Sequence, residues 1–85
     1  MRTFKTSSSI ERILNHYQGE IMDCVEGCLI DNYLISTPQG AIMLKETYQN
    51  CWTSIYTVYM SNDSIEIYGM WEAFVNDSEQ VKGEA

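Results

Sequence analysis

Residues 53–61, TSIYTVYMS, are β-branched or aromatic almost throughout, and no other run constrains the fold as strongly. In an extended strand Ser54, Tyr56, Val58 and Met60 take one side, and Thr53, Ile55, Thr57 and Tyr59 take the other. Both sides carry material worth burying. The strand is therefore either central and covered twice, or it turns one aromatic face outward. Upstream, NYLIST and AIMLKE flank TPQG, where Pro38 and Gly40 suit a reverse turn, so these runs predict a hairpin. TYQNCW then breaks the pattern with polar residues.

Helices are expected at both ends of this β-rich middle. Ser8 and Glu11 have capping-box spacing, and Ile10, Ile13, Leu14 and Tyr17 fall at i, i+3, i+4, i+7. The expectation is a helix over residues 9–18, stopped by Gly19. A second helix is expected over 64–76, with Ile65, Tyr68, Trp71 or Glu72, and Val75 on its apolar stripe, Gly69 weakening it, and Asp63 and Glu66 near its positive end. Residues 20–28 are ambiguous: Ile21, Cys24, Val25, Cys28 and Leu29 repeat as a helix face would, yet Gly27 argues against a long helix. A short strand or turn of helix over 20–25 is preferred, followed by a strand over 29–37. The sum is one α+β domain over residues 1–85, with a small antiparallel sheet of three to four strands and the N- and C-terminal helices packed on one face. Residues 1–6 and 79–85 are expected to fray.

The chain has 85 residues and a net charge of −7, from twelve acids and five bases. Between Thr6 and Val81 eleven acids face only Arg12 and Lys45, a balance of −9. Direct nucleic-acid binding is disfavoured, because few cations are present to replace the counterions of a phosphate backbone. A basic protein surface is the favoured partner. No apolar run approaches the ~20 residues that cross a bilayer, and MRTFKTSSS lacks the apolar core of a signal peptide, so no membrane contact and a cytoplasmic location are expected. Three cysteines cannot pair completely within one chain, and they read as small buried hydrophobes.

Ser9 and His16 on one helix stand about 10 Å apart, too far for a nucleophile and its base. Cys24, Cys28, Cys51 and His16 could supply four zinc ligands, but a three-residue gap between cysteines is also what a buried stripe produces. Glycine-rich phosphate loops are absent from the sequence. No enzyme, cofactor or metal is expected. What stands out is acidity combined with aromatics: six tyrosines and two tryptophans are more amphipathic rings than so small a core readily buries.

Acidity concentrated in EIMDCVEGCLID and SNDSIEIYGMWEAFVNDSE, together with abundant tyrosine and no catalytic motif, resembles the small inhibitors encoded by bacteriophages and mobile elements, anti-CRISPR and anti-restriction proteins among them. The resemblance implies an acidic surface that occupies the nucleic-acid groove of a host enzyme such as a nuclease. Carboxylates spaced along an edge can pair with the Arg and Lys that otherwise hold a backbone. The candidate partner-binding residues are Asp23, Glu26, Asp31, Glu46, Asp63, Glu66 and Glu72, with Tyr56 and Tyr59 as anchors. The alternative is a structural or accessory protein that forms a homodimer through the aromatic sheet face.

Overall fold

The computed structural model describes residues 1–27, 29–50 and 53–84, the last eight of these by backbone alone. Among the described residues seven elements follow one another: β1 (Arg2–Thr6), α1 (Ile10–Tyr17), β2 (Glu20–Val25), β3 (Ile30–Thr37), β4 (Gly40–Tyr48), β5 (Ser54–Met60) and α2 (Ser64–Glu84). The strands form one antiparallel sheet in the order β1-β5-β4-β3-β2. Strands β2 to β5 are a meander, and α1 carries the chain from the β1 edge to the β2 edge. The class is α+β, with five strands where the sequence predicts three to four.

The extra strand is β1, in a segment expected to fray. Four of its five residues are exposed, so its own pattern carries no burial signal, and it is held by the ladder that pairs Arg2 with Met60 through Thr6 with Tyr56. The ambiguity at 20–25 resolves to a strand, with a bulge between Ile21 and Asp23 in its pairing to β3. Helix α1 is capped by Ser9, not by Ser8: the Arg12 N–H donates to Ser9 Oγ at 3.3 Å. Its last turn closes as the Gly19 N–H donates to the Leu14 carbonyl at 2.9 Å. A Cβ on Gly19 would stand 2.6 Å from Ile35 Cγ2, so it is close packing that requires glycine there.

The two helices lie on opposite faces of the sheet, which corrects the expectation of a shared face. Ile13 of α1 packs with Ile35, Ile42, Leu44, Tyr56 and Val58, and Ile10, Leu14 and Tyr17 close over them. On the other side Ile67 and Trp71 of α2 pack with Leu34, Ala41 and Met43, joined by Tyr59, Met70, Phe74 and Val75. The reason is written in β3 and β4. Leu34 and Ile35 are both buried, as are all four residues from Ala41 to Leu44, so each strand is apolar on both sides and needs cover on both. Fully burying one such side chain contributes about 1.5–3 kcal/mol, which places most of the stability in this central stack. The buried stripe of α2 also differs from expectation: Ile65 is 77 % exposed and Ile67 fully buried. Among the described residues no helix is long and apolar enough to cross a membrane.

Strand β5 carries Tyr56, Val58 and Met60 toward α1 and Tyr59 toward α2, as its alternation predicts. It is a central strand covered twice. No bare aromatic face is left for Tyr56 and Tyr59 to share, since they point to opposite sides of the sheet.

Candidate functional site

Counting outward from the turn between Thr37 and Gly40, the hairpin register sets Asp31 directly opposite Glu46, and the next ladders continue the row to Tyr56 and Thr6. All four lie on the α1 side of the sheet. Asp31 is 6 % and Glu46 8 % exposed, so two like charges stand side by side with little water. Such a pair is unfavourable unless each carboxylate gains donors from the protein.

Tyrosines supply most of them. The Tyr33 hydroxyl donates to Glu46 Oε1 at 3.2 Å, and the Tyr56 hydroxyl also bonds Glu46. Asp31 accepts from the Tyr48 hydroxyl and, at 3.0 Å, from the Gly27 N–H of the β2–β3 loop. Each phenol is thereby held in its neutral form. The bond to Asp31, with burial and the Glu46 charge behind it, pushes Tyr48 up to about 12. Burial first, then Glu46, raises Tyr33 and Tyr56 further.

Cys24 lies at the centre of the negative field. Burial, then the charges of Glu26, Asp31, Asp23 and Glu46, raise its pKa and keep it a thiol, the opposite of what a nucleophilic cysteine needs. The outer carboxylates line the free edge of the sheet: Glu20, Asp23 and Glu26 are exposed along β2 and its loop, interleaved with exposed Ile21 and Met22 and followed by exposed Leu29 and Ile30. No Lys or Arg occurs between Ile13 and Leu44. The result is an acidic corner with an apolar fringe, stiffened from within by the tyrosine–carboxylate bonds.

Of the residues singled out from sequence, Asp23, Glu26, Asp31, Glu46 and Tyr56 meet at this corner. Asp31, Glu46 and Tyr56 are internal supports there, and Asp23 and Glu26 face solvent. Asp63, Glu66, Glu72 and Tyr59 lie elsewhere. Asp63 accepts from the Ile65 N–H at 3.0 Å at the start of α2, Glu66 accepts from the Ser61 hydroxyl at 2.6 Å, and Glu72 is exposed farther along that helix. Tyr59 packs under α2. Sequence reasoning passed over Tyr33, Tyr48 and Gly27, although the hairpin register would have found the Asp31–Glu46 pair they serve.

Among the described residues two cavities open elsewhere, and neither is lined by Asp31 or Glu46; both carboxylates accept from protein donors. Among the described residues no three His, Cys, Asp or Glu side chains group as metal ligands would; Cys28 and Cys51 of the four considered from sequence lie outside those residues. Comparison of the chain with protein-family models, with curated proteins and with solved structures finds no match.

Proposed function

We propose that this chain is a non-enzymatic, acidic binding protein, an inhibitor of the phage or mobile-element kind, that sets its β2–β3 corner into a basic nucleic-acid groove of a host enzyme such as a nuclease. The observation that carries this reading is the convergence of Asp23, Glu26, Asp31 and Glu46 around Cys24, the first three of them in a stretch, Ile13 to Leu44, that has no Lys or Arg. Glu20, Asp23 and Glu26 recur every third residue along extended backbone, so their carboxylates are distributed over about 20 Å and can meet several Arg or Lys side chains at once. Ile21, Met22, Leu29 and Ile30 add the apolar contact that a purely electrostatic encounter lacks. Because Asp31 and Glu46 are fixed internally, they contribute field to the corner and Asp23 and Glu26 contribute contact.

The test is capture of partners from bacterial lysate by the tagged protein at low and high salt, with and without competing DNA, beside an Asp23→Lys/Glu26→Lys variant. The expected outcome is a nucleic-acid enzyme that is released by salt, displaced by DNA and lost by the variant, whose circular dichroism is unchanged. Capture that survives both the DNA and the double charge reversal would sink the reading. Homodimerisation through an aromatic sheet face gains no support, since each face already carries a helix.

A further inference from the structure

The end of the sheet opposite the acidic corner has the reverse character. A cleft of about 770 Å³ opens there between β1, the last turn of α1, the β3–β4 turn and the β5–α2 link. In a chain of net charge −7 none of the described side chains that line it is a carboxylate, and two of them are Arg2 and His16. Thr37, Gln39 and Asn62 add polar groups at the rim, while Tyr17, Ile42 and Met60 lend it apolar surface.

Arg2 is the group whose charge is unspent. Its register partner is Met60, and among the described residues its guanidinium donates only to the Met60 sulfur, at 3.6 Å, a weak acceptor. Among the described residues no carboxylate lies within 4.0 Å of it; Glu66, the acid near the rim, is engaged by the Ser61 hydroxyl and by the Met1 amine at 4.0 Å. The C-terminal end of α1 would oppose an anion, but the Leu14 and Asn15 carbonyls already accept from Gly19 and Gln18.

We infer that this cleft binds a small organic anion, with a carboxylate or phosphate held by the fork of Arg2 beside His16 and an apolar body laid against Tyr17, Ile42 and Met60. The volume matches a ligand of mononucleotide size or less. Arg2 suits either anion, because its paired N–H groups match two oxygens of a carboxylate or of a phosphate. This site is separate from the acidic corner, and its failure would leave the proposed function standing.

The experiment is an NMR titration of the ¹⁵N-labelled protein with AMP, benzoate, adenosine and inorganic phosphate in turn, up to about millimolar concentration. AMP, benzoate or both should shift Gln39, Asn62 and the His16 ring, with adenosine and inorganic phosphate about tenfold weaker or more. A preference for AMP assigns the anion as phosphate, and a preference for benzoate as carboxylate. Arg2→Gln, on an exposed edge strand and so expected to melt as the wild type does, should weaken the anion about tenfold. Equal binding of AMP and adenosine, an affinity indifferent to Arg2→Gln, shifts confined to residues 20–31, or no shift with any probe would each overturn the inference.

Discussion

Asp31 and Glu46 show how a small acidic protein can keep charge close to its core. Each carboxylate has little water, and each is compensated by phenols whose own ionisation becomes harder in consequence. That coupling has a sign. A phenol raised in the folded state is neutral in both states below the unfolded value of about 10, so its contribution is complete there. Above that pH the unfolded chain ionises first, and stability falls until the folded phenols ionise too, at about 12 for Tyr48. Urea midpoints should therefore hold between about pH 7 and 9 and decline above about pH 10, with the absorbance of part of the tyrosine population titrating late. Replacing Tyr33, Tyr48 and Tyr56 by Phe should flatten this alkaline decline; an undiminished decline would show that other groups cause it.

At the scale of elements, the glycines separate backbone demands from mere tolerance. Gly40 has φ +127° in the β3–β4 turn, and a Cβ there would meet Ser64 Oγ at 2.6 Å, the hydroxyl that accepts from the Ala41 N–H. Gly69 sits exposed in α2 with nothing within 4 Å of an added Cβ. Chemical denaturation should show Gly40→Ala costing more than about 1 kcal/mol and Gly69→Ala gaining about 0.5–1 kcal/mol. The same contrast marks what sequence could and could not disclose. Helix α1, the TPQG hairpin and the two sides of β5 were legible because their signals are local: a cap, a turn, an alternation. Strand β1 was not, since RTFKT buries little and is specified by β5, some fifty residues away. The helices were assigned to one face although AIML, apolar at four consecutive positions, already calls for cover above and below. At the site, the acids were legible as a composition, but which of them are internal depended on strand register, and the buried side of α2 is the stripe of Ile67, Met70, Trp71, Phe74 and Val75, whose helical spacing is as regular as that of the stripe beginning at Ile65, so spacing alone did not choose between them.

The whole molecule is polarised. Its free edges carry opposite charge, Arg2 and Lys5 on β1 against Glu20 and Asp23 on β2, and the antiparallel order of five strands makes those two edges run in the same direction. Like edges repel, so a symmetric pair joined β1 to β1 or β2 to β2 is opposed at low salt. Unlike edges attract, and a contact of β1 on one copy with β2 on the next has no reason to close: repeated, it would be a fibre. The bulge between Ile21 and Asp23 interrupts the hydrogen-bonding rim on which the next copy would have to grow. Deleting Met22 keeps Ile21 opposite Ile35 and Asp23 opposite Leu34 while flattening that rim. Light scattering of the deletion variant should rise with concentration and fall with salt, where the wild type stays clear; equal clarity of both would place the protection elsewhere. One surplus residue in an edge strand then acts as a chain terminator, keeping a molecule with two complementary ends from becoming its own polymer.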